Sequence, residues 1–136
     1  MQPTIIPTLR YRNARSAINW LCDTFGFEEH LVVASDDGRI EHAQLTYGNG
    51  MIMLSSARDD DFGKLQAPPG SSDEVVCLSP YIIVQGIDEH FQHAVDAGAK
   101  IVMPLTAEDY GGKNYSCRDP EGHLWNFGSY DPWAST

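Results

Sequence analysis

The sequence predicts an α+β fold: two βαβββ modules forming a curved mixed sheet around a cleft, with helices on the outer face. Three observations predict it. Each half of the chain carries an amphipathic helical pattern just after a strand-like segment. Each helical pattern is followed by three strand-like runs separated by turn residues. A stretch of low periodicity lies between the halves, so the same order of elements is read twice in 136 residues.

The first module is read over 1–56. Its opening strand runs from Thr4 to Tyr11, with Pro3 and Pro7 unable to donate to a ladder, so one side of it is irregular. Asn13 is an N-cap residue. Beyond it Ala14, Ala17, Ile18, Leu21, Cys22 and Phe25 fall on one helical face, and Gly26 ends the helix. Phe27 to Ala34, Ile40 to Tyr47 and Met51 to Ser55 are the strands, joined by the turn residues Asp36-Asp37-Gly38 and Gly48-Asn49-Gly50.

Residues 57–79 read as a linker loop, with Asp59-Asp60-Asp61 a solvated acidic run. The second module is read over 80–128. Tyr81 to Gln85 is its first strand. Asp88 caps a helix stapled by Ile87 and Phe91, with Phe91, Ala94 and Val95 on its apolar face and Gly98 at its end. Lys100 to Leu105, Asn114 to Arg118 and His123 to Gly128 follow as strands. Asp119-Pro120-Glu121-Gly122 has the residue order of a type I turn. The tail, 129–136, is aromatic and is expected to pack on the fold or on a partner subunit.

A net charge of −10, from 19 acidic and 9 basic residues, argues against nucleic acid and anionic membrane as partners; it favours neutral or cationic small molecules, with solubility the plainer reading of the acidity than cation recognition. Met1-Gln2-Pro3-Thr4 has no charged-then-apolar leader pattern, and no apolar run is long enough to span a bilayer. Cys22, Cys77 and Cys117 are odd in number and widely spaced, which fits reduced thiols. Together these predict a cytoplasmic protein.

The run from Tyr110 to Trp125, with its Asp-Pro-Glu-Gly turn before a final strand, resembles the C-terminal signature of the vicinal oxygen chelate superfamily. Ala17-Ile18-Asn19-Trp20-Leu21 and Phe25-Gly26-Phe27 resemble its first βα unit. The superfamily includes glyoxalase I, extradiol dioxygenases, fosfomycin resistance enzymes and bleomycin-binding proteins. The resemblance covers nearly the whole chain apart from linker and tail. It is specific for fold and weak for reaction, because many activities share this scaffold.

The superfamily's enzymes hold a divalent metal with side chains from the first, fourth, fifth and eighth strands. By the resemblance, those positions fall on Ile6, Met53, Tyr81 and Asn126. Ile6 cannot bind a metal, Met53 is a soft thioether, and Tyr81 and Asn126 are weak ligands. The expectation is therefore a chain with no metal and no cofactor. Strand parity agrees with this placement. It sends Ile5, Leu9, Ile52, Leu54, Ile82, Val84, Trp125 and Phe127 toward the helices.

The same phase places His42, Gln44, Met53, Tyr81, Asn114, Ser116 and Asn126 on the open side as candidate ligand-binding residues. Aromatic and thioether groups would wrap a flat ligand, while amides and hydroxyls would orient it. No catalytic residue is assigned. His42 alone on a strand is more often a hydrogen-bonded polar residue than a base. His90 and His93 are expected to face solvent, and His123 to support its turn. No Ser-His-Asp or Cys-His arrangement is present, and Gly111-Gly112 lacks the helix and basic cluster of a phosphate loop.

The reading is a metal-independent binding protein of the bleomycin-resistance type, a homodimer that sequesters an aromatic, drug-like small molecule. The competing reading is a glyoxalase, lyase or dioxygenase with a rearranged metal site that uses His42.

Overall fold

A computed structural model describes residues 2–71 and 74–134. The chain divides into two compact units, residues 1–70 and 71–136.

In the first unit, β1 (Thr8–Tyr11), α1 (Ala14–Phe25), β2 (Glu28–Ala34), β3 (Ile40–Tyr47) and β4 (Gly50–Ser56) follow in order. They form a four-stranded sheet, β1-β4-β3-β2, in which β1 runs parallel to β4 and the other pairs are antiparallel. Helix α1 forms where the periodicity predicted. The Asn13 side chain accepts from the Ser16 amide at 3.1 Å. Such a cap contributes about 1 kcal/mol. Gly26 sits at φ 91°, a left-handed conformation that closes the last turn. Ala14, Ala17, Ile18, Leu21 and Phe25 are buried against Leu9, Tyr11, Ala43, Leu45, Ile52 and Leu54 on one face of the sheet.

The opening strand is shorter than expected. It starts at Thr8, and Ile5 is 87% exposed instead of lying under the helix. The prolines explain this: without N–H groups at 3 and 7 the segment cannot hold a ladder, though the Pro7 carbonyl still accepts from Met53 N at 2.9 Å. Cys22 is half-buried at the edge of its helical stripe. His30 is exposed, at a bulge in β2 between Glu29 and Leu31. The stretch after β4 includes a turn of 3-10 helix, Phe62–Lys64. Asp60 pairs with Arg58 at 2.7 Å and Asp61 with Lys64 at 3.7 Å.

The second unit repeats the order as β5 (Tyr81–Ile83), α2 (Ile87–Asp96), β6 (Lys100–Ala107), β7 (Lys113–Arg118) and β8 (Leu124–Gly128). Its sheet order, β5-β8-β7-β6, and its parallel β5–β8 pair reproduce the first unit strand for strand. Val84, Ala94, Tyr115, Cys117, Trp125 and Phe127 are buried on the helix side, and Ile82 is half-buried.

Two expectations about α2 are corrected. The N-cap is Gly86 in a left-handed conformation, φ 69°, not Asp88. Ile87 is therefore the first residue inside the helix and cannot act as a staple from outside it. Asp88 lies in the first turn and pairs with Lys113 at 2.9 Å. His90 is not solvent-facing. Its Nδ1 lies 2.7 Å from the Tyr115 hydroxyl, and its ring centroid is 4.6 Å from that of Phe127. A buried phenol needs a hydrogen-bond partner, and His90, one turn inside the helix, is placed to be one.

The Asp119–Gly122 turn closes with Gly122 N donating to Asp119 O at 3.0 Å. His123 supports it with its backbone: its carbonyl accepts from Asp119 N at 3.0 Å, and its amide donates to Asp119 Oδ1 at 3.1 Å. No helix among the described residues is long and apolar enough to cross a membrane.

Candidate functional site

Each sheet has one face under its helix and one face left open. In the first unit, His42, Gln44 and Met53 are half-buried on the open face, with Gln44 directly opposite Met53 in the β3–β4 register. The Gln44 amide nitrogen lies 3.0 Å from His42 Nε2. An amide NH2 only donates, so in this contact Nε2 is the acceptor. The ring nitrogen facing Gln44 is thus occupied by a neighbour two residues along the same strand.

In the second unit, Tyr81 lies opposite Asn126, Asn126 opposite Ser116, and Asn114 opposite Gly128. Asn126 is closely held. Its Nδ2 donates to Ser79 Oγ at 2.8 Å and to the Pro80 carbonyl at 3.0 Å, and its Oδ1 accepts from Ser116 Oγ at 2.6 Å. Both amide hydrogens are committed, so the side chain serves to bind the entry of β5 to β7 and β8. Asn114 Nδ2 donates to the Tyr110 hydroxyl at 3.0 Å.

Tyr81 is 41% exposed. Its hydroxyl donates to the Tyr130 carbonyl at 2.8 Å, and its ring lies across Gly128, where an added Cβ would come within 2.4 Å of the hydroxyl oxygen. Tyr130 in turn meets Tyr110 edge to face, with centroids 5.1 Å apart at 83°. Burial first, then the neighbouring Tyr110, push the Tyr81 hydroxyl above the ordinary tyrosine value, so the phenol stays neutral. Tyr110 and Tyr130 were not singled out from the sequence. Both lie beside glycines at strand ends, in Tyr110-Gly111-Gly112 and Gly128-Ser129-Tyr130, and that pairing of tyrosine with glycine is the signal that could have marked them.

The four residues assigned by resemblance to the metal-ligand positions fall two in each unit. Ile6 is half-buried just before β1, near Met53; Tyr81 and Asn126 are register partners. An alkyl group and a thioether in one unit, and a phenol and a fully bonded amide in the other, do not make a donor set for a hard divalent cation. Among the described residues, no three His, Cys, Asp or Glu side chains are grouped so as to hold a metal ion.

A separate groove of about 460 Å3 lies in the first unit, lined by Arg39, Glu41, Ser56, Arg58 and Asp60 among others. Several of its polar groups are already bonded within the unit. Arg58 pairs with Asp60, Arg39 donates to the Ala57 carbonyl, and Ser56 Oγ accepts from Ile40 N at 2.9 Å.

The repeated β-α-β-β-β order, with parallel first and last strands in each sheet, and the open faces so described define a class of small paired-module proteins. The profile of the Glyoxalase/Bleomycin resistance protein/Dioxygenase superfamily matches residues 6–127, and the chain belongs to that superfamily. It is 30% identical over 133 residues to the uncharacterized protein Rv0887c of Mycobacterium tuberculosis (strain ATCC 25618 / H37Rv), covering 94% of this chain and 75% of that one. Among solved structures it is similar to TioX from Micromonospora sp. ML1, with 31% identity, a TM-score of 0.74, and coverage of 93% of this chain and 97% of that one. The fold also matches the fosfomycin resistance protein FosX from Listeria monocytogenes, solved with Mn(II), at a TM-score of 0.67 over 97% of this chain and 95% of that one. At 12% identity that likeness concerns the fold alone.

Proposed function

We propose that this protein binds a planar aromatic small molecule without a metal, as a sequestering receptor rather than a catalyst, and works in the cytoplasm as a homodimer. The reading is supported by the chemistry of the four positions to which the resemblance assigns the superfamily's cation ligands. They are Ile6, Met53, Tyr81 and Asn126, and the last has spent its amide hydrogens on Ser79 and Pro80. The open faces offer an aromatic ring, a thioether and several amides and hydroxyls. That chemistry stacks on and orients a flat ligand. It contains no paired acid and base.

Equilibrium dialysis against a panel of aromatic natural-product antibiotics tests the reading. Saturable binding of at least one compound by protein stripped with chelator is the expected result, with sedimentation equilibrium of the same sample giving twice the chain mass. Uniform absence of binding across the panel would overturn it. The competing reading, an enzyme with a rearranged metal site at His42, predicts a stoichiometric divalent ion in protein purified without a histidine tag. The Gln44 bond to His42 Nε2 weighs against that reading.

A further inference from the structure

We propose that Tyr81, Tyr110 and Tyr130 form an aromatic recess in the second unit that takes a small organic cation, an alkylated or aromatic ammonium group. The proposal deepens the receptor reading above and rests on it. Two of the three rings are anchored at their hydroxyls, and the third, Tyr130, is held through its backbone carbonyl and its edge contact with Tyr110. Tyr81 is tied to the Tyr130 carbonyl at 2.8 Å, Tyr110 accepts from Asn114 at 3.0 Å, and the rings of Tyr110 and Tyr130 stand at 83°. Even so, Tyr81, Tyr110 and Tyr130 are 41%, 60% and 38% exposed. With the Tyr81 and Tyr110 hydroxyls bonded locally, the exposed ring surface is what these two residues offer a ligand.

The backbone is shaped to bring these groups together. A Cβ at Gly112 would lie 2.7 Å from Ser129 Oγ and 2.9 Å from Tyr130 N, and one at Gly128 would strike Tyr81. Only residues without a side chain at both positions let the tail close onto the 108–112 loop and Tyr81.

Charge selects the class of ligand. Glu108 and Asp109 precede Tyr110, and Asp131 follows Tyr130 closely enough to act on Tyr81. Lys113, the cation of this loop, is drawn away by Asp88 at 2.9 Å. Phenol faces present the negative lobe of their quadrupole, and the flanking carboxylates and the net charge of −10 add to it. A cation is attracted by every one of these features, and an anion is repelled by them.

Titration calorimetry at low salt with N-methylquinolinium and neutral quinoline, at pH 7.5, tests the proposal. The cation is expected to bind about tenfold more tightly than its neutral counterpart. Tyr110→Ala is expected to weaken the cation about fivefold or more, while Tyr110→Phe, which keeps the ring, stays within about twofold. Tyr110 is exposed on a loop, and circular dichroism checks that both variants fold. Equal affinity for the two probes, no binding of the cation, or loss in the Phe variant as large as in the Ala variant would each overturn it. A protein that binds a neutral antibiotic in dialysis but shows no preference for quinolinium loses the recess and keeps the receptor. Ring-dependent quinolinium binding with an empty antibiotic panel has the opposite meaning.

Discussion

Asp119 is a buried acid that holds a turn and a strand at once. Its Oδ1 accepts from the amides of Glu121 and His123 at 3.0 and 3.1 Å, and its Oδ2 accepts from Trp125 Nε1 at 3.0 Å. Trp125 is fully buried and its indole N–H is met there by this carboxylate. Asp119→Ala would strand that donor in the core and release the turn, at a cost of about 2–4 kcal/mol. Urea denaturation followed by Trp fluorescence should show the midpoint falling while the slope is unchanged. Asp119→Asn, which keeps an acceptor of similar shape, should lose less. The Asp-Pro-Glu-Gly run is legible in the sequence as a turn. Its role as the acceptor for Trp125, six residues on, depends on β8 leaving the turn in one direction.

Among the elements, the short β5 strand depends most on its neighbours. It has only three residues, Tyr81–Ile83, paired in parallel to β8. Strands of this length hold because side chains supplement the ladder, and Asn126 and Tyr81 do so here. Gly128→Ala should therefore displace Tyr81, break its bond to Tyr130 and cost about 1–3 kcal/mol, the range for a side chain forced into packed space. A rise in Tyr81 exposure, read by NMR as a shift of its ring resonances, together with a lower thermal midpoint, is the expected result. An unchanged Tyr81 environment would mean that the tail does not lean on this ring. Helix α1 is the contrasting case. Asn13, the apolar stripe and Gly26 lie next to one another in sequence and specify its start, buried face and end before any packing. For α2 the same reasoning chose Asp88 as the cap. A left-handed Gly86 took that position, and Asp88 turned to Lys113 instead, a partner 25 residues away.

For the molecule as a whole, alkaline pH is the condition that reports on Cys117, Tyr47 and Tyr81 together. Burial, and secondarily Asp119, push the Cys117 thiol from 9.0 up to about 12. Burial likewise raises the hydroxyls of Tyr47 and Tyr81. Each is an acid that stays protonated in the folded chain at a pH where the unfolded chain has released its proton. Between about pH 9 and 12 the folded state therefore holds more protons, and stability falls as pH rises. The contribution is fully present below pH 9. Urea midpoints measured from pH 8 to 10.5 should decline, and Cys117→Ala should decline less steeply while starting lower. A flat profile would show that Cys117 has a path to water. In the same pH range exposed Cys77 should react with thiol reagents while Cys117 reacts only after unfolding.

The order of elements and the helix-facing residues of the inner strands could be read from the chain alone. Alternation and helical periodicity arise from backbone geometry acting over a few residues, so they survive without knowledge of the partners. Ile5 failed that reading because proline removed the ladder on which alternation depends. What the side chains bond to was decided by the folded chain. Asn126 meets Ser79 and Pro80, Tyr81 meets Tyr130, and His90 meets Tyr115, over separations of 25 to 49 residues. Such meetings require the parallel β5–β8 register and the approach of two glycine-lined segments. Neither is encoded in any short stretch, because hydrogen-bond partners are chosen by position in space rather than by distance along the sequence.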